Sequence, residues 1–287
     1  MSAVPRHHEA VSPAAAPTVE GLVAPNPPRS TGRHPAVTLA LRAIGPVLLL
    51  AAWYAATASG VLTEDVLAGP QDVAATFGEL WADGQLPEAL RVSVTRAGLG
   101  LVLGASTGLV LGVLAGFTRL GEELVDSSMQ ALRAIPFLAL TSLFIVWFGI
   151  EEASKILLIG VACTFPMYVN VSSGVRNVDR KVVEAARSFG LGRLAIAREV
   201  VLPGALPSIF SGLRLSTTLS VIALIAAEEI NVTAGLGYLM ARATDYLRTD
   251  ILALCVLLYA VIGLLADLTL RVAERAAMPW RKAVTIR

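Results

Sequence analysis

The stretch "EAARSFGLGRLAIAREVVLPGALPS", Glu184 to Ser208, decides the reading of the fold. It is polar and Arg-bearing, and it lies in a chain that is otherwise mostly apolar. A link between two membrane spans needs far fewer residues. "VDRKVVEAARSFG" places Val182, Val183, Ala186 and Phe189 on roughly one helical face. Arg180, Lys181, Glu184 and Arg187 lie on the other. Gly190 fits a helix C-terminus, where a left-handed backbone costs glycine little. "LGRLAIAREVVLP" then reads as a second short helix, ended by Pro203. Two helices joined at a glycine make a knob for a groove in another protein, or an interfacial element bound only to lipid.

The composition around this stretch is that of a membrane protein. Of 287 residues, 55% are hydrophobic and only 16% charged, where soluble domains carry about 25%. The mean hydropathy is +0.68. The net charge of +1 gives no basis for nucleic-acid binding. Cys163 and Cys255 both sit in apolar runs and read as small buried hydrophobes. His7, His8 and His34 stand near the N-terminus, without the spacing of a metal site.

Working outward, six apolar runs of spanning length appear: 37–58, 93–117, 129–149, 154–174, 205–227 and 250–270. The fold expected is all-α, a polytopic membrane protein with six transmembrane helices. Residues 1–35 hold seven prolines and read as a flexible tail; residues 36–287 form the membrane domain. Pro46 and Pro136 fall inside the first and third runs and are expected to kink them. Residues 59–92 read as one or two short amphipathic helices, with Trp81 as an interfacial anchor. Gly100, Gly104, Gly108, Gly112 and Gly116 recur every fourth residue in the second run. That stripe lets another helix approach closely in lipid, or forms a moving or pore-side surface.

Basic residues set the orientation. The segment 175–204 carries Arg176, Arg180, Lys181, Arg187, Arg193 and Arg198; the tail carries Arg271, Arg275, Arg281, Lys282 and Arg287. Segment 59–92 has one base, Arg91, against six acids. Both termini and segment 175–204 are therefore expected inside. The 59–92 segment, the "EEASK" turn and the 228–249 connection are expected outside.

The segment resembles the cytoplasmic loop signature of permease subunits of ABC importers. That pattern is Glu-Ala-Ala, three residues, Gly, nine residues, Ile, one residue, Leu-Pro. Here Glu184-Ala185-Ala186 is followed by Gly190, Val200 and Leu202-Pro203 at the full spacing, with valine for isoleucine as the one departure. "GVRNVDRKVVEAARSFG", "LPGALPSIFSGLRLS" and "AGLGYLMARATDYLRTD" extend the resemblance to the sulfonate, taurine and nitrate branch, over about residues 37–282. The resemblance implies the type I importer permease fold in a bacterial inner membrane. It implies a homodimer bound to two copies of a cytoplasmic ATP-binding subunit, and an extracytoplasmic substrate-binding protein. ATP and magnesium would be bound by that ATPase; this chain has no GxxxxGK[ST] phosphate loop and no cofactor of its own. Glu184, Ala185, Ala186, Gly190, Val200, Leu202 and Pro203 would form the coupling segment, within 175–204. Aliphatic sulfonates are the first expectation for substrate, with taurine, nitrate or bicarbonate as alternatives.

A sulfonate is a permanent anion, so its path needs water or donors. Arg96, Arg133 and Arg214 lie in or near spans, each read either as snorkelling or acid-paired or as a guide for anions. Thr141, Ser142, Ser211, Ser216, Thr217, Thr218 and Ser220 are candidates for a wet wall, or bond their own backbone. Glu228 and Glu229 are a receptor contact or a gate element, and Asp267 pairs with Arg271 at i, i+4. A secondary transporter would need ion-coupling acids in matched halves, and an enzyme a nucleophile–base cluster; neither pattern is present.

Overall fold

In the computed structural model, which describes residues 35–229 and 233–279, every regular element is helical. The Pro-rich tail, the three histidines and Arg281, Lys282 and Arg287 lie outside the described residues. By internal contacts the chain falls into two units that meet in sequence at Leu49 and Leu50. All packing described below belongs to the second. The elements are α1 (Pro35–Ala58), α2 (Pro70–Ala82), α3 (Gln85–Phe117), α4 (Arg119–Ala134), α5 (Phe137–Phe148), α6 (Glu152–Arg176), α7 (Arg180–Ser188), α8 (Arg193–Ile196), α9 (Leu202–Glu228), α10 (Leu236–Asp245) and α11 (Thr249–Ala277). A π-helical turn, Ala197–Val201, joins α8 to α9.

Among the described residues, four helices are long and apolar enough to cross a membrane: α3, α6, α11, and the continuous run Arg193–Glu228. Two shorter apolar helices, Ile44–Ala58 and Ala139–Phe148, accompany them. α6 is the central helix, with α3 along one side and α9 along another.

The glycine stripe explains the α3–α6 pairing. A Cβ on Gly104 would run into the Gly160 carbonyl oxygen, and one on Gly108 would stand 2.5 Å from that of Thr164. Gly100, Gly112 and Gly116 meet Ile159, Val171 and Val175 in the same way. Both numbers rise together along these contacts, so α3 and α6 run parallel. α9 runs antiparallel to α6: Gly212 lies against Asn170, and Ser216 against Cys163. The Ser216 hydroxyl donates to the Cys163 carbonyl at 2.8 Å, and the Cys163 thiol donates back to the Ser216 carbonyl at 3.3 Å. In lipid, such interhelical bonds and close packing replace hydrophobic burial as the cohesive force.

Three expectations change. The third span is not one kinked helix over 129–149. α4 stops at Ala134 and α5 begins at Phe137, because Pro136 lacks the N–H that would continue the ladder and pushes Ile135 into extended backbone. The helix after Gly192 does not end at Pro203. The π turn widens the ladder where the prolyl ring would collide with the preceding carbonyls, and the helix runs on to Glu228. The 228–249 connection carries a helix of its own, α10. Residues 59–92 do hold a short helix, α2, but α3 already starts at Gln85.

Candidate functional site: an elbow, a buried ion pair and a groove

The helix directions place three features at different depths. At one end of the bundle, where α3 and α6 finish, lies the α7–α8 elbow. α7 starts at Asp179, whose carboxylate accepts from the Lys181 N–H at 2.9 Å. It ends in a Schellman motif: the Leu191 N–H donates to the Ala186 carbonyl, and Gly190 N–H to that of Arg187. Gly190 adopts φ +83°, a region glycine enters without penalty. Ala186, Ile196 and Val201 are buried against Val171, Val175 and Ala205, which fixes the elbow to the bundle. Glu184, Ala185 and Gly190 face outward. Phe189 does not join the inner face expected of it: it is 85% exposed, and Leu194 is 83% exposed. The tight turn at Gly190 throws the Phe189 ring away from the bundle.

At the other end, Arg96 and Glu228 form an ion pair of 2.7 Å. Their side chains are 1% and 0% exposed. Glu228 accepts also from the hydroxyls of Ser93 (2.7 Å) and Tyr259 (2.8 Å) and from the Gly237 N–H (3.1 Å). Arg96 reaches Glu152 at 2.5 Å and the Ala234 carbonyl at 2.8 Å. One knot therefore ties α3, α6, α9, α10 and α11. Sequence reasoning assigned Glu228 to a receptor contact or a gate; the structure puts it out of reach of any receptor in this conformation. Arg96 follows its acid-paired reading.

The remaining polar candidates separate. Arg214 bonds Glu274 at 2.6 Å and faces Asp267 at 3.3 Å, and Asp267 also pairs with Arg271. Ser216, Thr217 and Ser220 are buried, with their hydroxyls bonded to backbone carbonyls. Thr141 is buried and Ser142 exposed. Ser211 and Thr218 bond their own helix. Arg133 alone of the three span arginines has no carboxylate within ion-pair distance among the described residues. Its guanidinium lies over the Phe165 ring, 5.5 Å from the centroid. It lines a groove of about 460 Å³ between α3, α4, α5, α6 and α9. Among the described residues, no cluster of His, Cys, Asp or Glu suits a metal ion.

Comparison with known proteins gives this geometry a family. Residues 108–278 match the model described as binding-protein-dependent transport system inner membrane component. The chain is 42% identical over 238 residues to an Escherichia coli (strain K12) protein named as an aliphatic sulfonates transport permease, covering 83% of this chain and 90% of that one. It is 32% identical to the taurine transport system permease protein of the same organism, over 86% and 91% of the two chains. The fold is similar to that of an inward-facing methionine ABC transporter, with a TM-score of 0.53 and 21% identity, over 64% of this chain and 94% of that one. An amino acid ABC transporter with histidines gives a TM-score of 0.53 at 17% identity, over 71% and 96%. With a family match over more than half its length and the signature segment folded as an elbow at one end of its helices, the chain belongs to the inner membrane components of binding-protein-dependent transport systems.

Proposed function

We propose that this chain is the permease subunit of an ATP-driven importer of aliphatic sulfonates in a bacterial inner membrane. It pairs with a second copy of itself. Two copies of a cytoplasmic ATP-binding subunit dock on the α7–α8 elbow and hold the ATP and magnesium. An extracytoplasmic substrate-binding protein delivers the anion at the Arg96–Glu228 end.

The chain crosses the membrane six times, through α1, α3, the α4–α5 pair, α6, α9 and α11, with both termini inside. The parallel run of α3 and α6 supports this count. Parallel neighbours require the chain to return between them. α4 and α5, with 16 and 12 residues, offer about 42 Å of helical rise for that return. The basic residues of segment 175–204 support a cytoplasmic side for the elbow.

One observation carries the coupling reading: Phe189 and Leu194, two large apolar side chains, stand out from the elbow on either side of a rigid Gly190 turn. Isolated exposed apolar residues are ordinary, but a pair held on a capped turn at the basic end of a bundle suits a groove in a partner. ATP-driven closure of two such partners would move the two elbows together and shift the spans between two states. The sulfonate reading rests on the higher identity to the sulfonates permeases than to the taurine permease.

Growth tests it. A strain lacking the gene should fail on an alkanesulfonate as sole sulfur source and grow normally on sulfate. Unchanged growth on alkanesulfonates, with no second importer induced, would move the substrate elsewhere.

A further inference from the structure

We propose that the groove between α4, α5 and α6 is a transit site for an alkanesulfonate, with Arg133 holding the anionic head and the apolar walls holding the alkyl tail. This rests on the sulfonate reading above and adds a place and a binding mode to it.

The depth of the groove is the first argument. Phe165, under the Arg133 guanidinium, lies near the middle of α6. About 20 Å of helix rise separates it from Glu152 and about 17 Å from Arg176. A charge at that depth is costly, and residues that carry one there generally have a counterion. Arg96 and Arg214 have theirs inside the chain. Arg133 has none among the described residues, which leaves its charge open to a counterion from outside the chain.

The second argument is the broken helix. Ile135 and Pro136 interrupt the α4–α5 span at the wall of this groove. Irregular backbone at membrane depth persists where it lines a cavity. The break sets the positive N-terminal end of α5 there beside the negative C-terminal end of α4, whose last turn holds Arg133.

The third argument is shape and polarity. The walls are Met129, Leu132, Leu140, Val161 and Leu219, and the volume of about 460 Å³ falls in the range of small-molecule sites. Thr107 and Thr164 also line it, but both hydroxyls donate to backbone carbonyls, leaving Arg133 as the side-chain donor. One guanidinium beside an apolar trough matches an anion with an alkyl chain. No carboxylate lines it to hold the ammonium of taurine, and a nitrate ion would leave the walls unfilled.

The test uses the complete importer, permease pair with ATPase and receptor, in proteoliposomes. Uptake of ethane-, hexane- and decanesulfonate is measured alongside ATP hydrolysis stimulated by the loaded receptor. Arg133→Leu should lower uptake of all three about tenfold or more, with Arg133→Lys recovering part of it, because a point charge replaces the planar fork. Leu140→Trp should fill the trough and cost decanesulfonate more than ethanesulfonate. Stimulated hydrolysis should persist in each variant, which shows that the complex is folded and docked. Wild-type uptake by Arg133→Leu, or a Leu140→Trp loss equal at all chain lengths, would overturn the site. So would an Arg133→Leu defect seen only in vesicles containing anionic lipid, which would make a lipid headgroup the counterion. If the wild-type importer moves no alkanesulfonate yet hydrolyses ATP with another loaded receptor, it is the substrate reading that fails.

Discussion

Arg96 on α3 and Glu228 on α9 meet at 2.7 Å with almost no solvent exposure, although 132 residues separate them. Glu228 is fully served there, by two hydroxyls, one backbone N–H and the guanidinium. Breaking such a pair leaves an uncompensated buried charge, which costs more than the intact pair contributes.

Arg96→Met or Glu228→Leu alone should therefore destabilise the permease by about 3–5 kcal/mol. The double variant should cost clearly less than the sum, since both charges leave together. Thermal unfolding of the purified complex reads this. Additive single losses would mean that the two residues act separately.

Along the glycine stripe, position matters more than residue type. Gly104→Ala forces a Cβ into the Gly160 carbonyl and should separate α3 from α6, with a loss of about 3 kcal/mol or more. Gly98, six residues earlier on the same helix, has nothing within 4 Å of its added Cβ. Gly98→Ala should be neutral or stabilise by up to about 1 kcal/mol through helix propensity. Equal losses at the two positions would rule out close packing as the role of the stripe.

At Gly190 the chain itself leaves open space around an added Cβ. Gly190→Ala should cost only about 1–2 kcal/mol of left-handed backbone strain. Gly190→Trp adds bulk that this chain tolerates and a docked partner would not. It should leave the permease folded and abolish receptor-stimulated ATP hydrolysis. Normal stimulation by Gly190→Trp would remove Gly190 from the docking surface.

Arg214 is a contrast to Arg133. It is 41% exposed and paired with Glu274 and Asp267, where ion pairs contribute about 0–1 kcal/mol. Arg214→Leu should leave sulfonate uptake within about fivefold of wild type, the equivalent of about 1 kcal/mol. A tenfold loss would place the anion route along α9 instead.

What could be read from the sequence follows the range of the forces involved. The α6, α9 and α11 spans, the stripe and the Gly190 turn rest on local pattern, and they appear close to where periodicity and glycine chemistry put them. The Asp267–Arg271 pair is one helical turn and was equally accessible. Pro136 announced a disturbance, but whether a proline bends or breaks a helix depends on what packs beside it. Pro203 suggested a stop, and a π turn absorbed it. α10 was missed because its polar face hides a short helix in a connection. The Arg96–Glu228–Glu152 knot joins residues that only the assembled helices bring together. The one hint was an acid at the end of a span with a base at the matching end of another.

The uninterrupted helix from Arg193 to Glu228 has a mechanical consequence. Its 36 residues make a rod about 54 Å long, with the elbow at one tip and the buried carboxylate at the other. No loop lies between them to take up slack; the ladder is disturbed at the π turn and again at Pro207, both near the elbow. If a partner pushes on the elbow, as proposed, the push would reach Glu228 as a tilt or twist of the shaft, and the far latch and the near handle would be parts of a single crank.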